Sequence, residues 1–454
     1  MTINRTRRSL ALAAFFYACV FSLQSTVVSN VRAQDVSGTE IRQFNGATMG
    51  TSYMVKVIGI SDVSDDSIKL AIDAELRQVN DEMSTYIKAS EISRFNDTES
   101  TDWFPVSRPF AEVVGFAQKV SKATDGAFDV TVGPLVDAWS FGPSERTQTV
   151  PSAEQIQTIR KQVGYEKLES RLDPPALRKS VPGLRIDLSS IAKGHGVDRV
   201  IERVKTLGAE SAFVEIGGEV RTIGEKPDGP WRVGIQLPDA KQETVMVAHP
   251  MEPTEKAGNS MATSGDYRNF FMVDGKRYSH TIDPRTAKPI EHNLASITVV
   301  APSCMAADAW ATALSVVGTD AALKLADENE LNVLLAQRNE NDFALFATGN
   351  LTAYVETNDE QSNGVSDAPE TAETDEKSMF TEVVAITILS FGVFSILLFA
   401  MAVGVIFGRK QISGSCGGLN SQTNPDGSTS CSLCSNPSDA CRELREKMAE
   451  KENV

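Results

Sequence analysis

Asp308 and Thr312 stand four residues apart in the run Met305-Ala306-Ala307-Asp308-Ala309-Trp310-Ala311-Thr312, so on a helix a carboxylate and a hydroxyl share one face. Oxygen donors of these kinds suit a hard divalent cation, and magnesium usually takes few ligands from protein. His280 lies in Tyr278-Ser279-His280-Thr281-Ile282-Asp283-Pro284-Arg285-Thr286, among polar turn residues and not in an apolar stripe. An imidazole with a pKa of about 6.5 can take up a proton at neutral pH, although a lone His is often structural or merely exposed. A third run, Ile186-Asp187-Leu188-Ser189-Ser190-Ile191-Ala192-Lys193-Gly194-His195, reads as a strand end, a short loop and a helix start. A helix N-terminus offers free N–H groups and a positive dipole end to an anion. Lys193 adds a charge and Asp187 an acceptor for a sugar or base; simple capping by Ser189 or Ser190 is the alternative. In Asp125-Gly126-Ala127-Phe128-Asp129-Val130-Thr131-Val132-Gly133 small residues let backbone approach a flat ring or a phosphate, or else form a tight turn. Ala47-Thr48-Met49-Gly50-Thr51 and Met83-Ser84-Thr85-Tyr86 are weaker signals, and ordinary turn chemistry accounts for a Gly before a strand.

The elements that must position these groups are mixed. Residues 51–60 alternate and are β-branched, as a strand does. Residues 68–80, 112–124 and 153–163 carry apolar side chains at helical spacing. Short strand-like runs occupy 213–223, 231–237, 269–273 and 295–300. Many short strands mixed with helices imply an α+β domain, not a doubly wound parallel sheet. The chain has 454 residues, 41% hydrophobic and 23% charged, which is ordinary for a globular protein. Its net charge of -16 argues against a nucleic-acid partner, which would call for a basic face.

The ends differ from this domain. Basic residues, an apolar stretch from Leu10 to Leu23 and Val-Arg-Ala ending at Ala33 have the order of an export signal over residues 1–33; an uncleaved membrane helix is the alternative, and Cys19 sits in a poor lipoprotein context. The globular domain runs over 40–355. Residues 356–382 are acidic and poor in large apolar groups, as a flexible linker is. Residues 383–407 carry no charge and, at about 1.5 Å per residue, can span the roughly 30 Å hydrocarbon layer as a helix. Arg409 and Lys410 follow directly, which places residues 408–454 in the cytoplasm and the large domain outside. Cys304 is alone in the large domain, whereas Cys416, Cys431, Cys434 and Cys441 crowd the tail, where thiolate ligation of zinc, iron or an iron–sulfur cluster is the natural reading.

Taken in order, Thr-Met-Gly-Thr, Ser-Thr-Tyr, Gly-Ala-Phe-Asp-Val-Thr-Val-Gly-Pro-Leu, Ile-Asp-Leu-Ser-Ser-Ile-Ala-Lys-Gly, Glu-Ile-Gly-Gly-Glu-Val-Arg, Ser-His-Thr-Ile-Asp-Pro-Arg-Thr and Ala-Asp-Ala-Trp-Ala-Thr-Ala-Leu resemble the ApbE family of FAD:protein FMN transferases. The resemblance implies an α+β fold with FAD in a cleft lined by Met49, Tyr86, Ala127, Phe128, Asp129, Asp187, Lys193 and Ile282. It implies magnesium held by Ser190, Asp308 and Thr312, with His280 as the base, and acceptor proteins that receive FMN on a Thr or Ser hydroxyl. Ala311 stands where some members carry Asp, and Glu215 and Glu219 where Asn and Asp are common. FAD hydrolysis and non-catalytic FAD binding are the competing activities. The tail, with Arg409-Lys410, Ser415-Cys416-Gly417-Gly418-Leu419 and a late Cys-x-x-Cys, resembles the NqrM family, which implies iron delivery to the membrane-embedded sodium-pumping NADH:quinone oxidoreductase. Together these imply a bacterial inner-membrane protein with the transferase domain on the periplasmic side.

Overall fold

The computed structural model describes residues 40–142, 149–238, 244–252, 258–266, 270–340 and 342–355, and two short strands at 422–423 and 429–430. The chain divides into two units, Met1–Ser366 and Asp367–Val454. In the second, Gln422–Thr423 pairs antiparallel with Thr429–Ser430. The expected export signal, acidic linker and membrane span, and Cys416, Cys431, Cys434 and Cys441, lie outside the described residues. Among the described residues no helix is long and apolar enough to cross a membrane.

The first unit is built on an eight-stranded sheet: β1 (Arg42–Thr48), β2 (Thr51–Ile58), β3 (Ser211–Ile216), β4 (Glu219–Ile223), β5 (Ser260–Gly265), β6 (Leu294–Ala301), β7 (Asn332–Arg338) and β8 (Phe343–Ala347). Spatial order follows chain order, and every pairing is antiparallel. The expected α+β class is therefore met. The run 213–223, expected as one strand, is two. Gly217 and Gly218 take φ of 62° and 106° and make a two-residue turn between β3 and β4. Such turns need left-handed backbone at both positions, which Gly adopts without a steric cost. The β1–β2 turn is of the same kind, with Met49 at φ 49° and Gly50 at 74°. The Gly217 N–H donates to the Ser52 carbonyl at 3.1 Å, so the two turns lie side by side at one end of the sheet.

The helices are α1 (Asp65–Met83), α2 (Glu91–Asp97), α3 (Arg108–Ala123), α4 (Gly133–Ala138), α5 (Ala153–Arg160), α6 (Ala192–Thr206), α7 (Cys304–Val317) and α8 (Thr319–Glu328). Ser64 caps α1, Asp65 and Asp66 complement its dipole, and its buried stripe is Ile68, Ile72, Leu76 and Val79. That stripe packs with Val197, Val200, Ile201 and Val204 of α6 and with Val55, Val57, Val214 and Ile216 of the sheet. The opposite face of the sheet buries Met261, Val300 and Leu334 beneath Trp231 and Ile235, from a hairpin of Arg232–Gln236 and Val245–Pro250. Sheet strand β6 is thus covered on both faces and is buried at every residue, Ser296 and Thr298 included. Each such Val or Ile contributes about 1.5–3 kcal/mol relative to exposure.

Besides residues 224–259, which join β4 to β5 and carry the hairpin just described, three long connections leave this frame. Residues 59–210 join β2 to β3 and carry α1 to α6. Residues 266–293 join β5 to β6 through two hairpins, Phe270–Val273 with Lys276–Ser279 and Ile282–Asp283 with Lys288–Pro289. Residues 302–331 join β6 to β7 and carry α7 and α8. The motifs of the sequence sit on these connections and on the two tight turns.

Candidate active site

Helices α6 and α7 meet at their N-terminal ends. Gly194 makes this possible: a Cβ there would lie 2.3 Å from the Cys304 carbonyl oxygen and 2.8 Å from the Asp308 Cβ. The Gly194 N–H donates to Oδ2 of Asp308 at 2.9 Å. Neither Ser189 nor Ser190 caps α6: its N-cap is Ile191, which offers no side-chain bond, and a free N–H of its first turn is taken by a carboxylate from another helix. The capping alternative is set aside by this geometry.

The Lys193 side chain, one residue earlier, reaches Oε1 of Glu219 at 3.0 Å and Oδ1 of Asp308 at 3.7 Å. Glu219 and Asp308 are both buried. Burial alone would lower the Lys193 pKa; the carboxylates of Asp308 and Glu219 outweigh it and hold the ammonium above the ordinary lysine range. Burial raises Glu219 above the usual carboxylate range, opposed by Lys193 and reinforced by the Asp308 charge. Oε2 of Glu219 is buried and has no hydrogen-bond partner among the described residues. Thr312 lies one turn beyond Asp308 on α7, partly exposed, and its carbonyl accepts from Ser315 Oγ at 2.8 Å. Ser190 is partly exposed just before α6.

The base of α7 is fixed by Asp198 of α6. Its two oxygens accept from the N–H groups of Cys304 and Met305, each at 2.9 Å, while Ser303 takes that of Ala306 at 3.2 Å. Arg221 of β4 closes on Asp198 at 2.8 Å. The N-terminal N–H groups of α7 are thereby satisfied within the protein. Burial, with Asp198 close by, pushes the lone Cys304 thiol well up, so it is an inert core group.

The Gly-rich run and the Asp187 loop come together. The Asp187 N–H donates to the Val130 carbonyl at 2.7 Å, and a Cβ on Gly133 would meet the Asp187 Cβ at 3.3 Å. Ala127 and Phe128 are buried, Phe128 in the core under α3 and α7. Asp129 accepts from the Thr131 N–H at 2.8 Å and hydroxyl at 2.7 Å, which caps the short turn Val130–Val132; burial pushes its carboxyl up to about 6. Asp187 accepts from the Ser189 N–H at 2.7 Å. Met49 is half-buried and its Cε would lie 2.9 Å from a Cβ on Gly196, so its left-handed turn presses it onto the first turn of α6. Tyr86, just past the end of α1, is 77% exposed.

His280 follows the hairpin of Phe270–Val273 and Lys276–Ser279, and the next residues, Ile282–Asp283, pack against α7. Ile282 is buried with Leu135 and Trp139 of the 133–139 segment. An aromatic chain holds the His280 loop: Trp139 stacks on Tyr278 (5.7 Å), Tyr278 on Phe271 (5.3 Å), and Phe141 meets Phe271 at 5.1 Å and the His280 ring edge-on at 6.3 Å. The indole N–H of Trp139 donates to the Ala287 carbonyl at 3.0 Å. Asp266, at the other foot of the hairpin, binds Arg277 at 2.9 Å and Arg338 of β7 at 2.6 Å.

The structure therefore joins Lys193 and Asp308 directly, joins the Asp129 and Asp187 loops, and packs the segment after His280 on the helix that carries Asp308 and Thr312. Glu219, noted in the sequence only as a departure, is part of the centre. Asp198, Trp139 and Phe141 were not singled out, and Asp266 was given no role; the Gly-Gly turn was the local signal for Glu219. Among the described residues no group of three or more His, Cys, Asp or Glu side chains forms a metal cluster. The donors present, a carboxylate and a hydroxyl on one helix face with a buried unpartnered carboxylate oxygen nearby, fit a hard, mostly hydrated cation such as magnesium.

Comparisons with known proteins identify the family. The model of the ApbE family matches residues 49–335, and that of (Na+)-NQR maturation NqrM matches residues 405–453. The FAD:protein FMN transferase of Vibrio cholerae is 42% identical over 313 residues, 68% of this chain and 92% of that protein. The solved flavin transferase ApbE of Vibrio cholerae superposes with a TM-score of 0.63 at 41% identity, covering 69% of this chain and 99% of the other. The flavinyl transferase ApbE of Pseudomonas stutzeri gives 0.64 at 37% identity over 71% and 98%. With its C-terminal segment NqrM-like, this chain belongs to the ApbE family.

Proposed function

We propose that the chain is an FAD:protein FMN transferase that moves FMN from FAD to a Thr or Ser hydroxyl of an acceptor protein and releases AMP. The observation that carries this reading is the meeting of Lys193 and Asp308 at the α6–α7 contact, on the helix that also receives the segment following His280. Relatives named for this activity support it. Asp308, Thr312 and Ser190 would hold magnesium, which when bound neutralises diphosphate charge. Met49, Tyr86, the 127–129 run, Asp187 and Ile282 would receive the flavin and adenosine parts, and Lys193 a phosphate oxygen. His280 takes the proton of the acceptor hydroxyl. That oxygen forms a bond to the phosphorus on the flavin side; the bond to the AMP oxygen breaks and AMP leaves with the electron pair. Water in place of the hydroxyl would make the same site an FAD pyrophosphatase.

The sequence ends add a location and a partner. The apolar span and the charges after it support an inner-membrane anchor with the transferase domain on the periplasmic side and Cys416, Cys431, Cys434 and Cys441 in the cytoplasm, where they would bind iron. The NqrM-like segment supports acceptors among the subunits of the sodium-pumping NADH:quinone oxidoreductase. The test is incubation of the full chain with FAD, Mg2+ and such a subunit. A fluorescent flavin band on the denatured subunit is expected. AMP and free FMN without the band would mean hydrolysis, and neither product would mean storage; both outcomes reject transfer.

A further inference from the structure

The meeting point of β4 with the N-terminal parts of α6 and α7 holds more acidity than the magnesium donors named above require. Glu219 enters it from the β3–β4 turn, buried, with Oε1 on the Lys193 ammonium and Oε2 on nothing among the described residues. A buried carboxylate oxygen without a partner is costly, and its usual explanation is a group that the protein alone does not supply. The same ammonium lies 3.7 Å from Oδ1 of Asp308. One positive charge thus bridges two buried carboxylates, at the spot where a cation held by Asp308 would be expected.

We propose that Glu219 is the second carboxylate of the divalent-cation site, accepting a cation-bound water on Oε2, and that Lys193 is the built-in ammonium that fills the gap between Glu219 and Asp308 when no metal is present. The proposal rests on the magnesium site of the transferase reading and adds to it a ligand-sphere residue and a competing charge. Both carboxylates lie within 3.7 Å of the Lys193 ammonium, and magnesium sits about 2 Å from a ligand oxygen and keeps several waters, each of which donates over about 2.7 Å. With all three groups ionised, Glu219, Asp308 and Lys193 carry one net negative charge, which suits a dication. Gln in place of Glu219 keeps the shape and removes both that charge and an acceptor for the water.

The alternative is that Glu219 only steers Lys193. The two separate in a double-variant cycle read by Mn2+ alone, titrated into the full-length chain without FAD and followed by loss of the free-ion electron paramagnetic resonance signal. Asp308→Asn serves as the blank, so that Mn2+ on the tail cysteines is subtracted. Glu219→Gln is expected to weaken the Asp308-dependent binding at least tenfold, both alone and in the Lys193→Met background, while Lys193→Met alone tightens it. Unchanged affinity on adding Glu219→Gln to Lys193→Met would overturn the proposal, as would the absence of any Asp308-dependent Mn2+ in the natural sequence. If Glu219→Gln does not fold, Glu219→Asp withdraws the carboxylate by one methylene and should give a partial loss; natural affinity in that variant overturns the idea equally. Because binding and not transfer is measured, flavin labelling that fails while this pattern holds would reject the transferase reading and leave the site intact.

Discussion

Gly194 and Asp308 are joined by a 2.9 Å bond from the backbone N–H of one to Oδ2 of the other, across a sequence separation of 114 residues. Oδ2 is thereby engaged by the fold, and the donor that fixes it stands next to Lys193. Replacing Gly194 by Ala sets a methyl against the Cys304 carbonyl and the Asp308 Cβ. Neither can yield without moving α7, so a loss of about 1–3 kcal/mol is expected, typical of overpacking. Thermal or denaturant unfolding of Gly194→Ala checks this; stability equal to the natural chain would show that the helices can part freely.

Loss of the Asp198 carboxylate should be more severe. Asp198→Ala removes the acceptor for two N–H groups of α7 and the nearer carboxylate of the almost fully buried Arg221, which keeps the more distant one of Glu202 at 3.8 Å. Breaking one side of a buried ion pair costs about 3–5 kcal/mol, and the pairing of Arg221 with Glu202 places the loss at the lower end of that range. Asp198→Asn keeps one acceptor oxygen and should fall between. A denaturant midpoint for Asp198→Ala within error of the natural chain would contradict the capping role.

His280 is expected to act in proton transfer and not in binding. His280→Ala should lower flavin labelling of the acceptor by at least a hundredfold, within the range for a lost general base, while FAD affinity measured by fluorescence quenching changes little. Equal labelling by the variant would remove the imidazole from the reaction.

Asp266 holds the foot of the His280 hairpin through two arginines. Asp266→Asn should cost about 1–2 kcal/mol, because Arg277 and Arg338 are part-exposed and the full buried-pair penalty does not apply. The same variant should slow labelling more than it weakens FAD binding, since it loosens the base and not the α6–α7 contact. Equal effects on both would argue that the hairpin is not a separate unit.

Two buried groups oppose each other in pH dependence. Asp129 titrates at about 6 in the fold because burial disfavours its charge, against an ordinary 3.8. The folded state then binds the extra proton between those values, and stability falls as pH rises from about 4 to 6. His195 is lowered to about 4 by burial, with the Arg199 charge adding to it, against an ordinary 6.5. There the unfolded state binds the extra proton, and stability rises with pH over nearly the same interval. Asp129→Asn, which keeps an acceptor for Thr131, should therefore make the stability slope between pH 4 and 6 more positive, and His195→Gln more negative. Unfolding curves at several pH values test both signs.

Much of this was legible in the sequence where the signal is local. Helical spacing marked α1 and α3, β-branched alternation marked β2, and a short strand-like run marked β6. The spacing of Asp308 and Thr312 placed them on one helix face. What the sequence hid was long-range. Strand β1 is built from Arg-Gln-Phe-Asn-Gly-Ala-Thr, a poor strand by propensity, and owes its conformation to pairing with β2. The Gly-Gly turn split one apparent strand in two. Glu219 meets Lys193, and Asp198 meets Cys304, only because β4, α6 and α7 converge, which no local pattern encodes.

The two ends of the 266–293 connection lie one bond apart: the Asp266 N–H donates to the Ala295 carbonyl at 3.1 Å, between neighbouring strands. The loop that bears the imidazole is therefore an insertion with its exit beside its entrance, tied to the sheet through Asp266 and Arg338. A chimaera carrying a relative's 266–293 region on this sheet would separate the choice of acceptor from the handling of the dinucleotide.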